Sequence, residues 1–281
     1  MPELPEVETV RRGLNQVTLN QPIKGGEVCL ARTVAYPFDF DTFLSGLLNQ
    51  SVVQWHRRGK YLLGELQADA KPGGWLGVHL RMTGQLLWLS RQTPLESHCR
   101  IRLFFAGDHE LRFVDQRTFG RMWWVPPDQA LELVIPGLAK LGPEPFSDEF
   151  SVAYLQSVLG KRQRPIKNAL LDQALIAGVG NIYADEALFL SQIHPETLCN
   201  RLDSQQIQHL HSALQKVLAA SISVGGTTFS AFRSVQGING NYGGEAWVYN
   251  RKGQPCRVCG TAIERLKLAG RSAHYCPTCQ G

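Results

Sequence analysis

Chemistry is possible at the start of the chain, where Pro2 is followed by Glu3 and, one helical turn further on, by Glu6. Pro2 is small enough that Met1 is normally removed, which would leave a free secondary amine. An α-amino group has a pKa of about 8, so a fraction is a neutral nucleophile at neutral pH. Its attack on a sugar carbonyl equivalent would give an iminium ion, which permits elimination of attached phosphates while the carboxylates move protons. The alternative is that these residues only begin a helix, whose positive end favours acids.

Four of the seven cysteines form two CxxC pairs, which are separated by 16 residues: Cys256, Cys259, Cys276 and Cys279. Each pair directs two thiolates at one point, and the two pairs complete the tetrahedron in which zinc is bound. A closed shell of four sulfurs has no open position, so we expect one structural zinc ion. Disulfides are the alternative, but the other three cysteines are scattered singly, as reduced cysteines usually are.

The net charge of +5 is concentrated at one end of the chain. Residues 251–281 contain six Lys or Arg and one Glu, whereas the first 250 residues are neutral. A basic module on a neutral body suggests a polyanionic partner, because neutralising phosphates releases counterions. A solvated basic tail is the alternative.

The hydrophobic pattern changes twice along the chain. Residues 1–14 have the spacing of a short helix, and residues 20–125 alternate with period two between turn signals, which predicts an antiparallel sandwich or barrel. From about residue 148 the period is helical, most clearly after a cap at Asp203 or Ser204. The composition, with 43% hydrophobic and 19% charged residues, is that of a globular protein and excludes disorder and coiled coil.

Two further segments bear on location and function. Residues 224–246 contain six glycines and predict a long functional loop. The chain has no apolar run long enough for a transmembrane helix, and its acidic start argues against a secretory signal or a transit peptide. We therefore expect a cytoplasmic protein, although a plastid protein without its targeting peptide would have the same features.

Several motifs in order along the chain resemble those of the formamidopyrimidine-DNA glycosylases, bacterial enzymes that combine 8-oxoguanine glycosylase and abasic-site lyase activities. These motifs are PELPEVETVRRGL (2–14), RRGKYLL (57–63), HLRMTG (79–84), DQRTFGR (115–121), LGPEP (141–145), GVGNIYADEALF (178–189) and the terminal PCRVCG…YCPTC. They span nearly the full length, and the N-terminal motif is very specific.

The resemblance implies catalytic roles for five residues. Pro2 would be the nucleophile that forms the Schiff base, Glu3 the acid that opens the sugar ring, and Glu6 a support for the proton relay. Lys60 would contact phosphate and donate a proton in β-elimination. Arg271, between the two cysteine pairs, would bind the phosphate beside the flipped nucleotide and act in δ-elimination.

The resemblance also implies the residues that bind DNA. Met82, Arg117 and Phe119 would fill the space left by the flipped base, Phe119 as a wedge and Arg117 on the orphaned cytosine. Phosphate contacts are expected from the backbone-binding turn and from basic residues: Asn181, His98 and Lys161, with Arg162, Arg164 and Lys167 in the same basic stretch. Thr118 departs from the family, which often has a second basic residue there, so one phosphate contact is expected to be missing.

The expected fold is α+β and multidomain. An N-terminal helix and antiparallel β-sandwich (1–130) would precede a helical domain with a helix–two-turn–helix element (131–230), a lesion-capping loop (224–246) and a four-cysteine zinc finger with a β-hairpin (247–281). The expected function is base-excision repair of oxidised purines in double-stranded DNA, by a monomer that uses zinc and no organic cofactor and works at the bacterial nucleoid. The alternatives are an oxidised-pyrimidine glycosylase on the same scaffold and a non-catalytic damaged-DNA-binding protein.

Overall fold

The computed structural model describes residues 1–227, 235, 237, 240 and 242–281. The chain forms two compact units, the first built from residues 1–139 with 224–241 and the second from residues 140–223 with 242–281. Part of the glycine-rich segment, 228–234, 236, 238–239 and 241, lies outside the described residues, so the capping loop expected over 224–246 stays a prediction.

The first unit begins with helix α1 (Leu4–Val17). Val7, Val10 and Leu14 are fully buried, as their spacing predicts, because they share the face that packs on the sheet. Pro5 lies in the first turn, where its missing N–H costs no helical hydrogen bond. At the other end Thr18 donates from its hydroxyl to the Leu14 carbonyl at 2.8 Å.

Two sheets form the body of this unit within the described residues. The four-stranded sheet has the order β1 (Gly25–Val28), β7 (Cys99–Phe104), β8 (His109–Asp115), β6 (Gly84–Ser90). The five-stranded sheet has the order β2 (Val34–Tyr36), β9 (Arg121–Val125), β5 (Lys71–His79), β4 (Tyr61–Ala68), β3 (Ser51–Arg58). Both sheets contribute to one apolar core, Trp55 and Leu62 from one and Ile101 and Phe113 from the other. The predicted sandwich is therefore confirmed.

Two details of this region differ from the sequence-based prediction. Helix α2 (Phe40–Leu47) interrupts the segment for which only strands were predicted. Asp39 caps it by accepting the Thr42 N–H at 2.8 Å, and Phe43 and Leu47 are buried. Strand β2 also pairs in parallel with β9, whereas an entirely antiparallel arrangement was expected. A short helix, α3 (Leu131–Val134), follows the last strand of the unit.

The second unit contains α4 (Val152–Leu159), α5 (Ile166–Leu170), α6 (Asn181–Leu190) and α7 (Ser204–Ser223). Asp203 caps α7 by accepting the Gln206 N–H at 2.7 Å, and the Gln206 side chain accepts the Asp203 N–H in return. The apolar positions that predicted this helix are buried, among them Leu210, Leu214 and Leu218. None of the helices in the described part of the chain has the length and apolar character needed to cross a membrane.

The chain ends in a hairpin of β10 (Glu264–Leu268) and β11 (Arg271–Tyr275). Its two-residue turn, Ala269 and Gly270, has positive φ at both positions (45° and 79°), which matches the twist of a tight hairpin. The cysteine-containing segments beside the hairpin pack with Phe189 of α6 and with Val248 and Ile263 in a small core. The predicted combination of sandwich, helical region and four-cysteine finger is thus confirmed.

Candidate active site and nucleic-acid interface

The acidic residues at the chain start are buried and connected. Glu3 and Glu6 are 2% and 1% exposed, and Pro2 before them is also buried. The Glu6 carboxylate accepts the Glu3 N–H and the Thr227 N–H, both at 2.8 Å. Gly226 packs so closely that a Cβ at this position would lie 3.0 Å from Glu6 Oε1. The start of the glycine-rich segment is therefore tied to the acidic pair, a connection that sequence reasoning missed.

Helix α1 runs along strand β3 toward the turn that carries Lys60. Asn15 exchanges hydrogen bonds with the Trp55 backbone at 2.9 and 3.1 Å, whereas Glu8, two turns earlier, pairs with Arg57 at 3.3 Å. Contacts thus move toward the end of β3 as the helix is followed to its N-terminus. Since a helix rises about 1.5 Å and a strand about 3.3 Å per residue, the acidic pair lies at the same end as the turn.

Lys60 lies in the two-residue turn between β3 and β4, as predicted. Arg58 and Tyr61 close the turn, and Gly59 takes the positive φ of 55° that it requires. The Lys60 side chain is only 6% exposed. The turn therefore holds this ammonium group inside the unit and not on a solvated surface.

His79 is a neighbour of Lys60 that was not among the predicted site residues, although it opens the HLRMTG motif. Burial, together with the charges of Arg81 and Lys60, lowers the pKa of His79 to about 3. Its Nδ1 accepts the Arg81 N–H at 3.0 Å, which leaves Nε2 as the ring's N–H donor in the neutral state. A neutral donor beside a buried cation suits an anionic or polar ligand.

Glu8 organises the charges between α1 and β3. Its carboxylate binds Arg11 at 2.7 Å, Arg12 at 2.9 Å and Arg57 at 3.3 Å. Burial opposes ionisation, but the hydrogen bonds from Arg11 and Arg12 and the nearby charges outweigh it and hold the pKa of Glu8 at about 2. This network fixes the helix that carries Pro2 and Glu3 against the strand that leads to Lys60.

Two loops at one edge of the sandwich carry the three residues predicted to fill a DNA void. Met82 lies between β5 and β6, and Arg117 and Phe119 lie between β8 and β9. Phe119 is 50% exposed, and the Arg117 guanidinium lies 5.1 Å from the centre of its ring. A large apolar side chain left in solvent beside a cation is available for insertion between bases.

Asp115 holds these two loops together. Its buried carboxylate accepts the Thr83 hydroxyl at 2.5 Å and the Gly120 N–H at 2.7 Å. The Thr83 hydroxyl in turn accepts the Arg117 N–H at 3.0 Å. His98 belongs to the same edge, because its carbonyl accepts the Asp115 N–H at 2.9 Å while its side chain is exposed.

In the second unit, Asn181 is the first residue of α6, where the positive end of the helix dipole favours an anion. Its Oδ1 is buried, and no partner for it occurs among the described residues. Lys161 is exposed, as a phosphate contact requires. Lys167 is instead fully buried and binds Asp185 at 2.5 Å and the Asn181 carbonyl at 2.7 Å. The expectation that Lys167 follows the DNA backbone was therefore wrong, and it positions the α6 turn instead.

The four predicted metal ligands converge. The sulfur atoms of Cys256, Cys259, Cys276 and Cys279 all lie within 4.8 Å of one another. Zinc with four Zn–S bonds of about 2.3 Å needs sulfur atoms about 3.8 Å apart, so the site fits this metal. Backbone N–H groups of Val258 and Cys279 donate to the sulfurs of Cys256 and Cys276 at 3.4 Å. None of the seven cysteines forms a disulfide.

Arg271 begins strand β11, directly after the hairpin turn, and its side chain is exposed. Three residues further on, His274 donates its N–H to Asp185 at 3.0 Å and places its ring nitrogen 3.1 Å from the same oxygen. The adjacent Glu186 accepts three backbone N–H groups of residues 247–249 at 2.7 to 3.0 Å. Burial raises the pKa of Glu186, and these donors oppose the rise. Helix α6 thus anchors the hairpin that presents Arg271.

A four-cysteine cluster beside an exposed arginine, and a helix N-terminus with a buried amide, are features that can bind a metal ion and the phosphates of a nucleic acid. Residues 1–122 match the model of the formamidopyrimidine-DNA glycosylase N-terminal domain, residues 141–233 that of its H2TH domain, and residues 253–281 that of the zinc finger found in FPG and IleRS. The chain belongs to the formamidopyrimidine-DNA glycosylase family, a family of base-excision repair glycosylases.

The similarity to known proteins of this family extends over the whole chain. A formamidopyrimidine-DNA glycosylase of Nostoc punctiforme is 64% identical over 280 residues, which are 100% of this chain and 96% of the relative. The enzyme of Acaryochloris marina is 61% identical, with 100% and 99% covered. The crystal structure of a Lactococcus lactis FPG mutant with Fapy-dG-containing DNA has a TM-score of 0.90 at 36% identity, with 99% of each chain covered. MutM of Thermus thermophilus has a TM-score of 0.88 at 38% identity, with 100% and 99% covered.

Proposed function

We propose that the chain excises oxidised purines, chiefly 8-oxoguanine opposite cytosine and ring-opened formamidopyrimidines, and then cleaves the abasic site that remains. The observation that carries this proposal is the buried Pro2–Glu3–Glu6 segment, which lies at the same end of the sandwich as Lys60. The similar Lactococcus lactis protein has been crystallised with DNA that contains Fapy-dG and with DNA that contains an abasic site.

The first step requires the free amine of Pro2, and therefore removal of Met1. The amine nitrogen forms a bond to the anomeric carbon of the damaged nucleotide, and the bond from that carbon to the base breaks. The base leaves with the electron pair of that bond and takes up the proton that the amine loses. Glu3 donates a proton to the sugar ring oxygen, so the ring opens and an iminium ion forms. Glu6 holds the backbone N–H of Glu3 at 2.8 Å and thereby fixes the segment while protons move.

The second step breaks the DNA strand. The iminium ion accepts electrons as the C2′ proton leaves, which expels the 3′ phosphate in β-elimination, and a further proton loss expels the 5′ phosphate in δ-elimination. Water then releases the Pro2 amine. We assign to Lys60 the proton transfer in β-elimination and to Arg271 the hydrogen bonds to the phosphate beside the flipped nucleotide.

Double-stranded DNA with an oxidised base or an abasic site is the proposed partner. Met82 and Phe119 would occupy the space left by the flipped base, and Arg117 would hydrogen-bond the orphaned cytosine. Asn181, Lys161 and His98 would bind phosphates, which position the protein on the duplex. The bound zinc would hold the hairpin that presents Arg271 and take no part in the reaction. We expect a monomer that acts on the nucleoid in the bacterial cytoplasm.

Single-turnover cleavage of three duplexes tests the substrate assignment. These duplexes would contain 8-oxoguanine opposite cytosine, thymine glycol opposite adenine, or no damage. We expect cleavage of the 8-oxoguanine duplex to be at least about tenfold faster than that of the thymine glycol duplex. The reverse order would favour an oxidised-pyrimidine glycosylase, and salt-dependent binding without cleavage would favour a damage-binding protein.

Two glutamates on α1 provide a matched pair of variants for the same assay. Glu6→Gln should slow 8-oxoguanine excision by about 100-fold, since it alters the carboxylate bonded to Glu3 and Thr227. Glu8→Gln, which weakens the ion network between α1 and β3 but leaves the Glu6 hydrogen bonds to Glu3 and Thr227 intact, should slow excision by less than about tenfold. Equal losses in both variants would contradict a specific role for Glu6.

A further inference from the structure

Arg32 is an exposed arginine that lies 86 residues from Thr118 in sequence, yet its guanidinium donates a hydrogen bond to the Thr118 hydroxyl. Thr118 stands between Arg117 and Phe119, the two residues predicted to enter DNA. No carboxylate within the described ranges forms an ion pair with Arg32. The charge is therefore placed beside the DNA-entering loop without being neutralised by the protein.

The backbone explains why these distant segments meet. Arg32 belongs to a short 3₁₀ turn (Ala31–Thr33) that leads directly into β2. Strand β2 pairs in parallel with β9, with Val34 opposite Met122. Because parallel strands begin at the same edge of a sheet, the segments that precede them, 31–33 and 116–120, are neighbours. The position of Arg32 thus follows from the sheet topology as well as from its side-chain contact.

The edge of the sandwich formed by the loops of Met82 and Phe119 is positively charged, which favours an anionic ligand. Arg81, Arg117 and Arg121 lie in or beside the two loops that carry Met82 and Phe119, while the nearest acid in sequence, Asp115, is buried and used by Thr83 and Gly120. Thr118 is only partly exposed, and its carbonyl is used by Arg121 at 3.3 Å. Its hydroxyl orients the Arg32 guanidinium while leaving other N–H groups of the guanidinium directed away from Thr118.

We infer that Arg32 binds a phosphate of the DNA backbone and supplies the positive charge that position 118 lacks. This inference rests on the proposed function, because it takes the loops of Met82 and Phe119 to face the duplex. It revises the expectation that Thr118 leaves one phosphate contact missing. The contact is retained, but it comes from a different strand connection.

Salt-dependent binding tests the inference without relying on catalysis. The dissociation constant of the zinc-loaded protein is measured between 50 and 200 mM salt, on a duplex that contains a tetrahydrofuran abasic-site analogue. Arg32→Gln should lower the slope of log Kd against log salt by about 0.9, the share of one phosphate, and weaken binding about five- to tenfold at the lower salt concentration. Lys71→Gln is the control, because this exposed lysine begins β5, about 26 Å from the His79 end of that strand.

A double variant makes the test specific to this location. Thr118→Arg should restore the slope in the Arg32→Gln background, and position 118 accepts the change since its φ of 58° is less favourable for a β-branched residue than for arginine. If Arg32→Gln fails to fold, Thr118→Val replaces it in the test. This variant keeps the shape of the side chain but removes the hydroxyl that orients Arg32, and it should weaken DNA binding two- to threefold. An unchanged slope in Arg32→Gln, or the same decrease in Lys71→Gln, would overturn the inference.

Failure of the inference and failure of the proposed function have different signatures. If the original protein forms a borohydride-trapped adduct but Arg32→Gln has the original slope, the inference is wrong and the function stands. If no adduct forms but the slope still decreases by one phosphate, Arg32 binds DNA and the catalytic assignment is wrong.

Discussion

Each unit uses one buried aspartate to hold the segments that we expect to contact DNA, but the two aspartates have different partners. Asp115, in the first unit, accepts a hydroxyl and a backbone N–H. Asp185, in the second unit, forms an ion pair with the buried ammonium group of Lys167 and accepts hydrogen bonds from the backbone N–H and the ring nitrogen Nδ1 of His274. The Asp115 carboxylate joins two loops that connect strands of the large sandwich. The Asp185 carboxylate joins helix α6 to a hairpin that has only a small apolar core of its own.

The comparison implies that the second unit depends more on single interactions. In the first unit, Trp55, Leu62, Ile101 and Phe113 belong to a continuous core, so the loops rest on a scaffold that is stable without them. The finger packs through only a few apolar residues around Phe189, Val248 and Ile263. A segment with so small a core requires its metal and its buried carboxylates for folding.

Loss of the metal should therefore have the largest effect. Cys256→Ser should release zinc and weaken DNA binding by at least about 100-fold, because Arg271 is no longer presented, while the sandwich stays folded. Zinc content, DNA binding and far-UV circular dichroism measure the three effects. Cys199→Ser is the control, since this buried cysteine lies in the same unit but outside the metal cluster. Full affinity of metal-free Cys256→Ser would contradict the proposed role of the finger.

Replacement of each aspartate by asparagine should give the next largest effect, and the loss of unfolding free energy should differ between the two. Asp185→Asn removes the charge that neutralises buried Lys167 and should lower the free energy of unfolding by about 3 kcal/mol. Asp115→Asn has only neutral partners and should cost about 1 kcal/mol. Urea unfolding with separate fluorescence and circular dichroism signals measures both. Equal costs, or a larger cost for Asp115→Asn, would show that the two units are held in the same way.

Lys60 separates base removal from strand cleavage within the first unit. Lys60→Ala should slow excision of 8-oxoguanine by about 100-fold, because the expected phosphate contact of Lys60 positions the damaged nucleotide for base removal. Cleavage of a preformed abasic site should slow by less than about tenfold, because abasic DNA bypasses base removal and water can replace Lys60 in the proton transfer of β-elimination. Single-turnover rates on the two substrates give the ratio. An equal decrease on both would contradict a contribution of Lys60 to base removal.

Glu8 predicts a smaller, pH-dependent effect. Its pKa in the folded chain is about 2, below the value of 4.5 for a free glutamate, so its contribution is complete above pH 4.5 and is lost as the pH falls toward 2. Glu8→Gln should lower the free energy of unfolding by about 1–2 kcal/mol at pH 7, and the difference should shrink as the pH falls below 4.5. Urea unfolding at several pH values measures this difference. A difference independent of pH would contradict the role of the Glu8 network.

Local features made much of the site predictable. The CxxC spacing defines a metal site because each pair folds with little help from the rest of the chain. The Gly59–Lys60 turn and the Asp203 cap are also short-range patterns. Helix α2 and the parallel pairing of β2 with β9 were missed, since the first is a short helix within strand-like sequence and the second joins distant segments.

Other residues could not be assigned without tertiary contacts. The basic stretch that ends at Lys167 has the composition of a solvated surface, and only the structure shows that Lys167 is buried against Asp185. Asp115 and Arg32 act through partners that lie 32 and 86 residues away in sequence. No pattern within a helix or a strand indicates such partners, so these roles follow from the fold alone.

Borohydride trapping on a duplex with 8-oxoguanine opposite cytosine, with the intact mass of the same sample recorded, tests whether Pro2 is the nucleophile of this protein. A covalent protein–DNA adduct from protein that lacks Met1, absent when the Pro2 amine is blocked, is the predicted result, because only an iminium ion at Pro2 is reduced to a stable bond. Absence of an adduct from protein that has lost Met1 and retains zinc would contradict the assignment of Pro2 as the nucleophile.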